Sequence, residues 1–137
     1  AQQLIDRLEA EPRKPGEELF VGPTDLRYTP YTDAFFYYLF PELRPSTYFI
    51  EMDPFDSKPG TRLASDVNDA DWVILTNVWN GWIEPNKSTH AGSNLPNEII
   101  ARDFCRVGSW GIIPDNAGNA LPMYQLFHRC KPRKALP

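Results

Sequence analysis

Three short apolar runs, Leu19 to Gly22, Tyr48 to Met52 and Trp72 to Thr76, each pass directly into polar residues. These are Pro23-Thr24-Asp25, Asp53-Pro54-Phe55-Asp56 and Asn77-Val78-Trp79-Asn80. Runs this short and this evenly apolar are how strands read when both faces of a parallel sheet are covered, and the carboxyl ends of such strands are where open α/β sheets bind ligands. The pattern restricts the fold to a layered α/β arrangement and marks the strand ends as the place for a site. No recognised catalytic motif accompanies it.

The segments between the runs supply helices. Leu4, Ile5 and Leu8 have the spacing of a helix with one apolar face, stopped by Glu11-Pro12-Arg13-Lys14-Pro15-Gly16. Leu19-Phe20-Val21 predicts the first strand. Asp33 to Leu39 predicts a short buried helix with Thr32 as N-cap and Pro41 as its stop, and Phe35, Phe36, Tyr37 and Tyr38 read as helix-sheet packing. Thr47 to Met52 predicts the second strand and Trp72 to Leu75 the third. Between them, Thr61 to Asn68 predicts a helix with Leu63 and Val67 facing the sheet. Asn77 to Asn94 reads as a long polar loop, and Pro96 fits the first turn of a helix capped by Asn94, with Ile99, Ile100 and Phe104 on its apolar side. Cys105 to Trp110 and Met123 to Phe127 read as a hairpin joined by the Gly-, Asn- and Pro-rich segment Gly111 to Pro122. This order predicts a three-layer (αβα), mostly parallel, Rossmann-like sheet with right-handed crossovers and a C-terminal antiparallel hairpin at one edge.

At 137 residues the chain fits a single α/β domain, 1–137, and its 14 prolines limit helix length. A net charge of -4, with both signs mixed along most of the chain, leaves no basic face for nucleic acid. The basic cluster His128 to Lys134 reads as part of a solvated end, with 131–137 a flexible tail. No stretch approaches the roughly 20 apolar residues of a membrane span, and the longest, Ala34 to Phe40, is under half of that. The chain therefore reads as soluble. It begins at Ala1 with neither an initiator Met nor a signal-peptide pattern, which leads us to expect a piece of a larger protein.

Both cysteines fall at the outer ends of the hairpin strands. An antiparallel pairing would bring Cys105 and Cys130 within the roughly 4 to 7 Å between Cα atoms that a disulfide needs, and closing that loop would add about 3 kcal/mol and imply an oxidising compartment. Two buried free thiols are the alternative. Two Cys and two distant His lack the spacing of a zinc site.

No nucleophile elbow, phosphate-binding glycine loop or paired-His zinc helix occurs, so no catalytic residue, metal or cofactor is assigned. Gly22-Pro23-Thr24-Asp25 lacks the further glycines of a nucleotide-binding turn, and Pro23 removes an amide donor where phosphate would sit, which argues against a nucleotide. Glu51, Asp53 and Asp56 form the best acidic cluster for a hard cation or acid-base work, yet Asp53-Pro54 is an ordinary turn starter. Trp79 and Trp82, interleaved with Asn77, Asn80 and Glu84, offer flat apolar faces beside amide and carboxylate groups. That chemistry suits stacking on sugars, with Asp25, Arg27 and Tyr31 as the opposite wall. The alternative is that these tryptophans cover the end of the sheet. Candidate ligand-binding residues are thus Asp25, Arg27, Tyr31, Glu51, Asp53, Asn77, Trp79, Asn80 and Trp82.

The run Lys14-Pro15-Gly16-Glu17-Glu18-Leu19-Phe20-Val21-Gly22-Pro23, the strand Asp71-Trp72-Val73-Ile74-Leu75 and the final Tyr124-Gln125-Leu126-Phe127-His128-Arg129-Cys130 together resemble the soluble tail domain of bacterial multi-spanning membrane glycosyltransferases. The resemblance implies a noncatalytic, extracytoplasmic domain attached to a membrane-embedded parent. It also implies polyprenyl-phosphate-sugar chemistry carried out by the parent, and a crevice that helps hold a glycan or lipid-linked acceptor. No catalytic residue of that family maps onto this chain. A structural or interaction domain, and a small carboxylate-dependent hydrolase or transferase, are the alternatives.

Overall fold

The computed structural model describes residues 1–28, 32–48, 57–78, 92–114 and 117–137. Its centre is β3 (Trp72–Thr76), in which every side chain is buried. On one side β3 pairs in parallel with β1 (Glu18–Pro23), from Leu19 opposite Trp72 to Pro23 opposite Thr76. On its other side it pairs antiparallel with β5 (Ala120–Arg129). Outside β1 lies β2 (Arg44–Pro45), parallel and only two residues long, and outside β5 lies β4 (Phe104–Pro114). The strand order is β2-β1-β3-β5-β4.

Strand alternation divides the core in two. Leu19, Val21, Trp72, Ile74, Tyr124 and Leu126 face one side and pack against Leu4 and Leu8 of α1 (Gln2–Ala10) and Phe36 of α2 (Phe35–Leu39). Phe20, Val73 and Leu75 face the other side. There they meet Leu63 and Val67 of α3 (Leu63–Asp69) and Ile99 and Ile100 of α4 (Leu95–Asp103).

The expected three-layer, mostly parallel Rossmann-like architecture is not what the chain adopts. The sheet is mixed, and its two longest strands, β4 and β5 with 11 and 10 residues, are antiparallel, whereas the four described helices have only 5 to 9 residues. Two local causes account for this. Among the described residues the second parallel strand is Arg44–Pro45, both exposed; Thr47 and Tyr48 of the strand expected over Thr47–Met52 lie beyond its end, and 49–56 lie outside the described residues. The hairpin also runs past its expected limits. A bulge between Arg106 and Gly108 absorbs one residue, and Gly111 takes a positive φ of 70° opposite the Met123 side chain, so the glycine- and proline-rich segment continues as strand to Pro114.

Helix caps also differ in detail. The N-cap of α2 is Ala34, without a side-chain hydrogen bond, in place of the expected Thr32. At α4 the N-cap is Asn94, but Ser93 Oγ accepts the Leu95 N–H at 3.2 Å, while Asn94 Nδ2 donates to Glu98.

Two devices close the sheet. The free edge of β1 beyond β2 is covered by a side chain: Val21 N–H donates to the Tyr37 hydroxyl at 2.8 Å, and that hydroxyl lies 3.5 Å from Val21 O, where the next residues of a parallel neighbour would bond. Burial pushes the Tyr37 phenol far above its ordinary pKa, so it stays a donor at any physiological pH. At the far side Cys105 and Cys130 are disulfide-bonded, with Cα atoms 5.7 Å apart. The amino ends of β1 and β3 are tied by Glu18 N–H donating to Asp71 Oδ2 and by the Arg44–Glu18 and Arg133–Asp71 ion pairs. Beyond β5, Arg133 also bonds Asp69 O, Lys134 O accepts from Asn68, and Leu136 packs on the second core cluster. His128 belongs to β5 and stacks on Trp72, with ring centroids 4.0 Å apart. Among the described residues no helix is long and apolar enough to cross a membrane.

Tyr37→Phe keeps the ring and removes the hydroxyl, leaving the Val21 N–H buried and unpaired. Urea unfolding is expected to show a loss of about 1–3 kcal/mol. Replacing both cysteines by serine is expected to lower stability by about 3 kcal/mol in the same assay.

Candidate functional site

The chain makes a topological switch at the carboxyl ends of β1 and β3. After β1 it crosses one face through α2 to β2, then returns across the other face through α3 to β3. The two crossovers diverge between β1 and β3, and the carboxyl ends flanking such a switch are the usual ligand position in α/β sheets.

The floor of this end is built from backbone. Thr24 N–H donates to Thr76 O at 2.9 Å, Thr24 Oγ1 donates to the same oxygen at 3.2 Å, and Asn77 N–H donates to Met123 O at 2.8 Å. Gly22 lets the Phe20 ring and Leu26 close over β1, since a Cβ there would lie 2.7 Å and 2.9 Å from their carbons.

Asp25 is committed to structure. Its Oδ1 accepts from Arg27 N at 3.1 Å, Arg27 Nε at 3.0 Å and Asn97 Nδ2 at 2.9 Å, and its Oδ2 pairs with Arg27 Nη2 at 2.7 Å. Asn97, in the first turn of α4, returns the contact by accepting the Leu26 N–H at 2.9 Å. Burial pushes the Asp25 carboxyl up, but the bonds from Arg27 and Asn97 outweigh it and hold the group below its ordinary pKa. Gly92 completes the clasp: its N–H donates to Arg27 O at 2.7 Å, Ser93 N–H donates to Ser57 O, and a Cβ on Gly92 would fall 2.1 Å from the Ser57 carbonyl oxygen. Only glycine fits there.

Asn77 and Thr76 behave in the opposite way. Asn77 is 5% exposed and its Nδ2 has no hydrogen-bond partner; Thr76 is 3% exposed and its hydroxyl has none. Ser46 Oγ, just past β2, is likewise buried and unpartnered. Other such atoms occur on Arg13, Asp33, Asp66, Asn68 and Arg129; of these side chains Arg13 is ion-paired with Glu42, Asp66 Oδ1 accepts from Arg62, Asn68 Nδ2 donates to Lys134 O, and Arg129 donates to Ala70 O and Asn68 O. Thr76 and Ser46 have no second atom to use. Two unpaired groups, on Thr76 and Asn77, therefore sit side by side at the carboxyl end of β3, each costing about 1–3 kcal/mol while unsatisfied. Tyr124 stands directly across the ladder from Thr76, and burial together with the Asp33 charge raises its phenol, which keeps it a donor.

Of the residues that the sequence suggested, Asp25, Arg27 and Asn77 are at this end, with Asp25 and Arg27 occupied by each other. Tyr31, Glu51, Asp53, Trp79, Asn80 and Trp82 lie outside the described residues. Thr76, Asn97 and Gly92 were not suggested. Thr76 reads as an ordinary β-branched strand residue, and the Asn97–Asp25 bond spans 72 positions, beyond any local pattern. Among the described residues no group of three or more His, Cys, Asp or Glu is placed to hold a metal ion. Comparison with protein-family models, with curated proteins and with solved structures finds no match for the chain.

Two outcomes test this geometry. Thr76→Val keeps the shape and removes an unpaired buried hydroxyl, so unliganded protein is expected to gain about 1 kcal/mol in urea unfolding. A loss of stability would show that the hydroxyl has a partner. Asp25, with its folded pKa depressed, contributes stability above its unfolded value of about 4 and loses it as pH falls through the lower folded value. The stability difference between wild type and Asp25→Asn is therefore expected to be constant near neutrality and to shrink below about pH 4.

Proposed function

We propose that this chain is a noncatalytic accessory domain that binds a neutral, polyhydroxylated ligand of the glycan class at the carboxyl ends of β1 and β3. The observation that carries the proposal is the pair of buried, unpartnered groups there, the Thr76 hydroxyl and the Asn77 amide. An amide donor and a hydroxyl beside a phenol suit sugar hydroxyls, which both donate and accept. Asp25 is a poor general base, because its lone pairs are taken by Arg27 and Asn97 and its pKa is lowered.

The disulfide supports a setting outside the reducing cytoplasm. The resemblance to the tail domains of bacterial multi-spanning membrane glycosyltransferases supplies the larger context, a membrane-embedded parent whose acceptor the domain helps to hold. A protein-interaction role is the second reading, favoured by Phe35, Tyr38 and Leu39, which α2 leaves exposed.

The test is a titration with neutral mono- and disaccharides followed by amide NMR shifts. Saturable shifts at Thr76, Asn77 and Asn97, with a Kd on the order of 1 mM and weakening of about fivefold or more in Thr76→Val, are expected. Shifts that are absent, or unchanged by that substitution, would refute the strand-end site. Shifts on α2 caused by a protein partner alone would favour the second reading.

A further inference from the structure

A hollow lies beside the outer edge of β1, where α2 approaches the chain leaving β2. It encloses about 440 Å³ and is lined by Ala34, Tyr37, Tyr38, Pro45, Thr47 and Tyr48. That volume is within the range of about 300–1,000 Å³ typical of small-molecule sites. Half of these residues are tyrosines, and none of them carries a charge at neutral pH.

The rings are held in place from behind. Tyr37 is fixed by its hydroxyl on the Val21 backbone. Tyr48 lies under the Arg62 guanidinium, 4.4 Å from its ring centroid, and Arg62 is anchored by its Nε donating to Asp66 Oδ1 at 3.0 Å, with Asp66 itself 1% exposed. A buried carboxylate thus orients a cation, and the cation orients an aromatic ring that is itself 78% exposed. Tyr38, at 76% exposed, offers a second open ring. Aromatic surface that is both solvent-facing and positioned is unusual for packing, which would have covered it.

We infer that this cleft is a carbohydrate subsite in which Tyr38 and Tyr48 stack against the apolar C–H face of a pyranose ring. Two features select that ligand class. Flat rings match the C–H face of a sugar, and the phenol hydroxyls at their edges meet its polar rim. The described lining residues carry no charge, so none of them offers phosphate or carboxylate an ion-pair partner. The inference rests on the glycan reading given above and adds to it the surface on which the sugar ring lies.

The experiment is saturation-transfer NMR on the whole chain. The probes are methyl glucoside, methyl mannoside, methyl galactoside, methyl arabinoside and maltose, tested on wild type and on Tyr38→Ala, Tyr48→Ala, Tyr48→Phe, Arg62→Gln and Thr76→Val. Both aromatic positions, Tyr38 and Tyr48, are exposed, and circular dichroism verifies the fold of each variant. Expected are transfer concentrated on the C–H protons of one sugar face, about tenfold weaker binding in Tyr38→Ala and in Tyr48→Ala, about threefold weaker binding in Arg62→Gln, and near-normal binding in Tyr48→Phe. The inference is overturned if no probe receives saturation, if sugars bind equally well to both alanine variants, or if a proline-rich peptide or an alkyl glycoside tail binds the cleft where the plain sugars do not. Binding that depends on Thr76 but not on the tyrosines sinks the cleft and leaves the strand-end site standing; dependence on the tyrosines but not on Thr76 does the reverse.

Discussion

Burial of β3 on both faces is the constraint from which the rest of the structure follows. Trp72, Ile74 and Thr76 point one way and Val73, Leu75 and Asn77 the other, and all six are nearly inaccessible. A strand apolar on both faces needs a layer on each side and a hydrogen-bonded neighbour on each edge. β1 and β5 supply the edges, one parallel and one antiparallel. The helices supply the layers, α1 and α2 on one face, α3 and α4 on the other. A polar substitution anywhere from Trp72 to Leu75 would therefore strike both the core and the alignment of the strand ends.

The outer strands solve a different problem, the open edge. On the β1 side the sheet nearly stops after two residues of β2, and Tyr37 takes over the backbone groups that a longer strand would have paired. A side chain that replaces a strand leaves room beside it, and the tyrosine-lined cleft occupies that room. On the other side β4 is long and pinned by the disulfide to the residue following β5. The same sheet thus ends in a rigid ribbon at one edge and in a hollow at the other.

Much of this was legible in the sequence where local periodicity carries the information. Leu4 and Leu8, Leu63 and Val67, and the run Trp72 to Leu75 are core positions that their spacing declares. What failed was strand partnership. A fully apolar strand looks the same with a parallel or an antiparallel neighbour, so the mixed character of the sheet is invisible in β3 itself. Pro45 and its exposed neighbour Arg44 give no strand signal, and Gly111 and Pro122 signal a loop although a bulge and one positive φ carry the strand through. At the candidate site, Asp25 and Asn77 could be found as polar residues following apolar runs. Thr76 could not, because a buried threonine and a buried valine differ only in whether the hydroxyl finds a partner, and that is settled by groups far away in the chain.

The distribution of these interactions along β3 bears on function. At its amino end lie the Trp72–His128 stack, the Glu18–Asp71 bond, the Arg133–Asp71 pair and, just beyond His128, the disulfide. At its carboxyl end lie the unpaired groups of Thr76 and Asn77. A domain stable by only about 5–15 kcal/mol cannot leave several buried polar atoms unpaired without stabilisation from elsewhere. Here the cross-link and the Arg44–Glu18 and Arg133–Asp71 pairs sit at the amino end of the strand, while the two adjacent groups of Thr76 and Asn77 are left unpaired at the end where the chain switches direction. An arrangement serving stability alone would have placed valine at position 76. Retention of a hydroxyl there, within a strand otherwise apolar from Trp72 to Leu75, is the physical reason for placing ligand recognition at this end of the sheet.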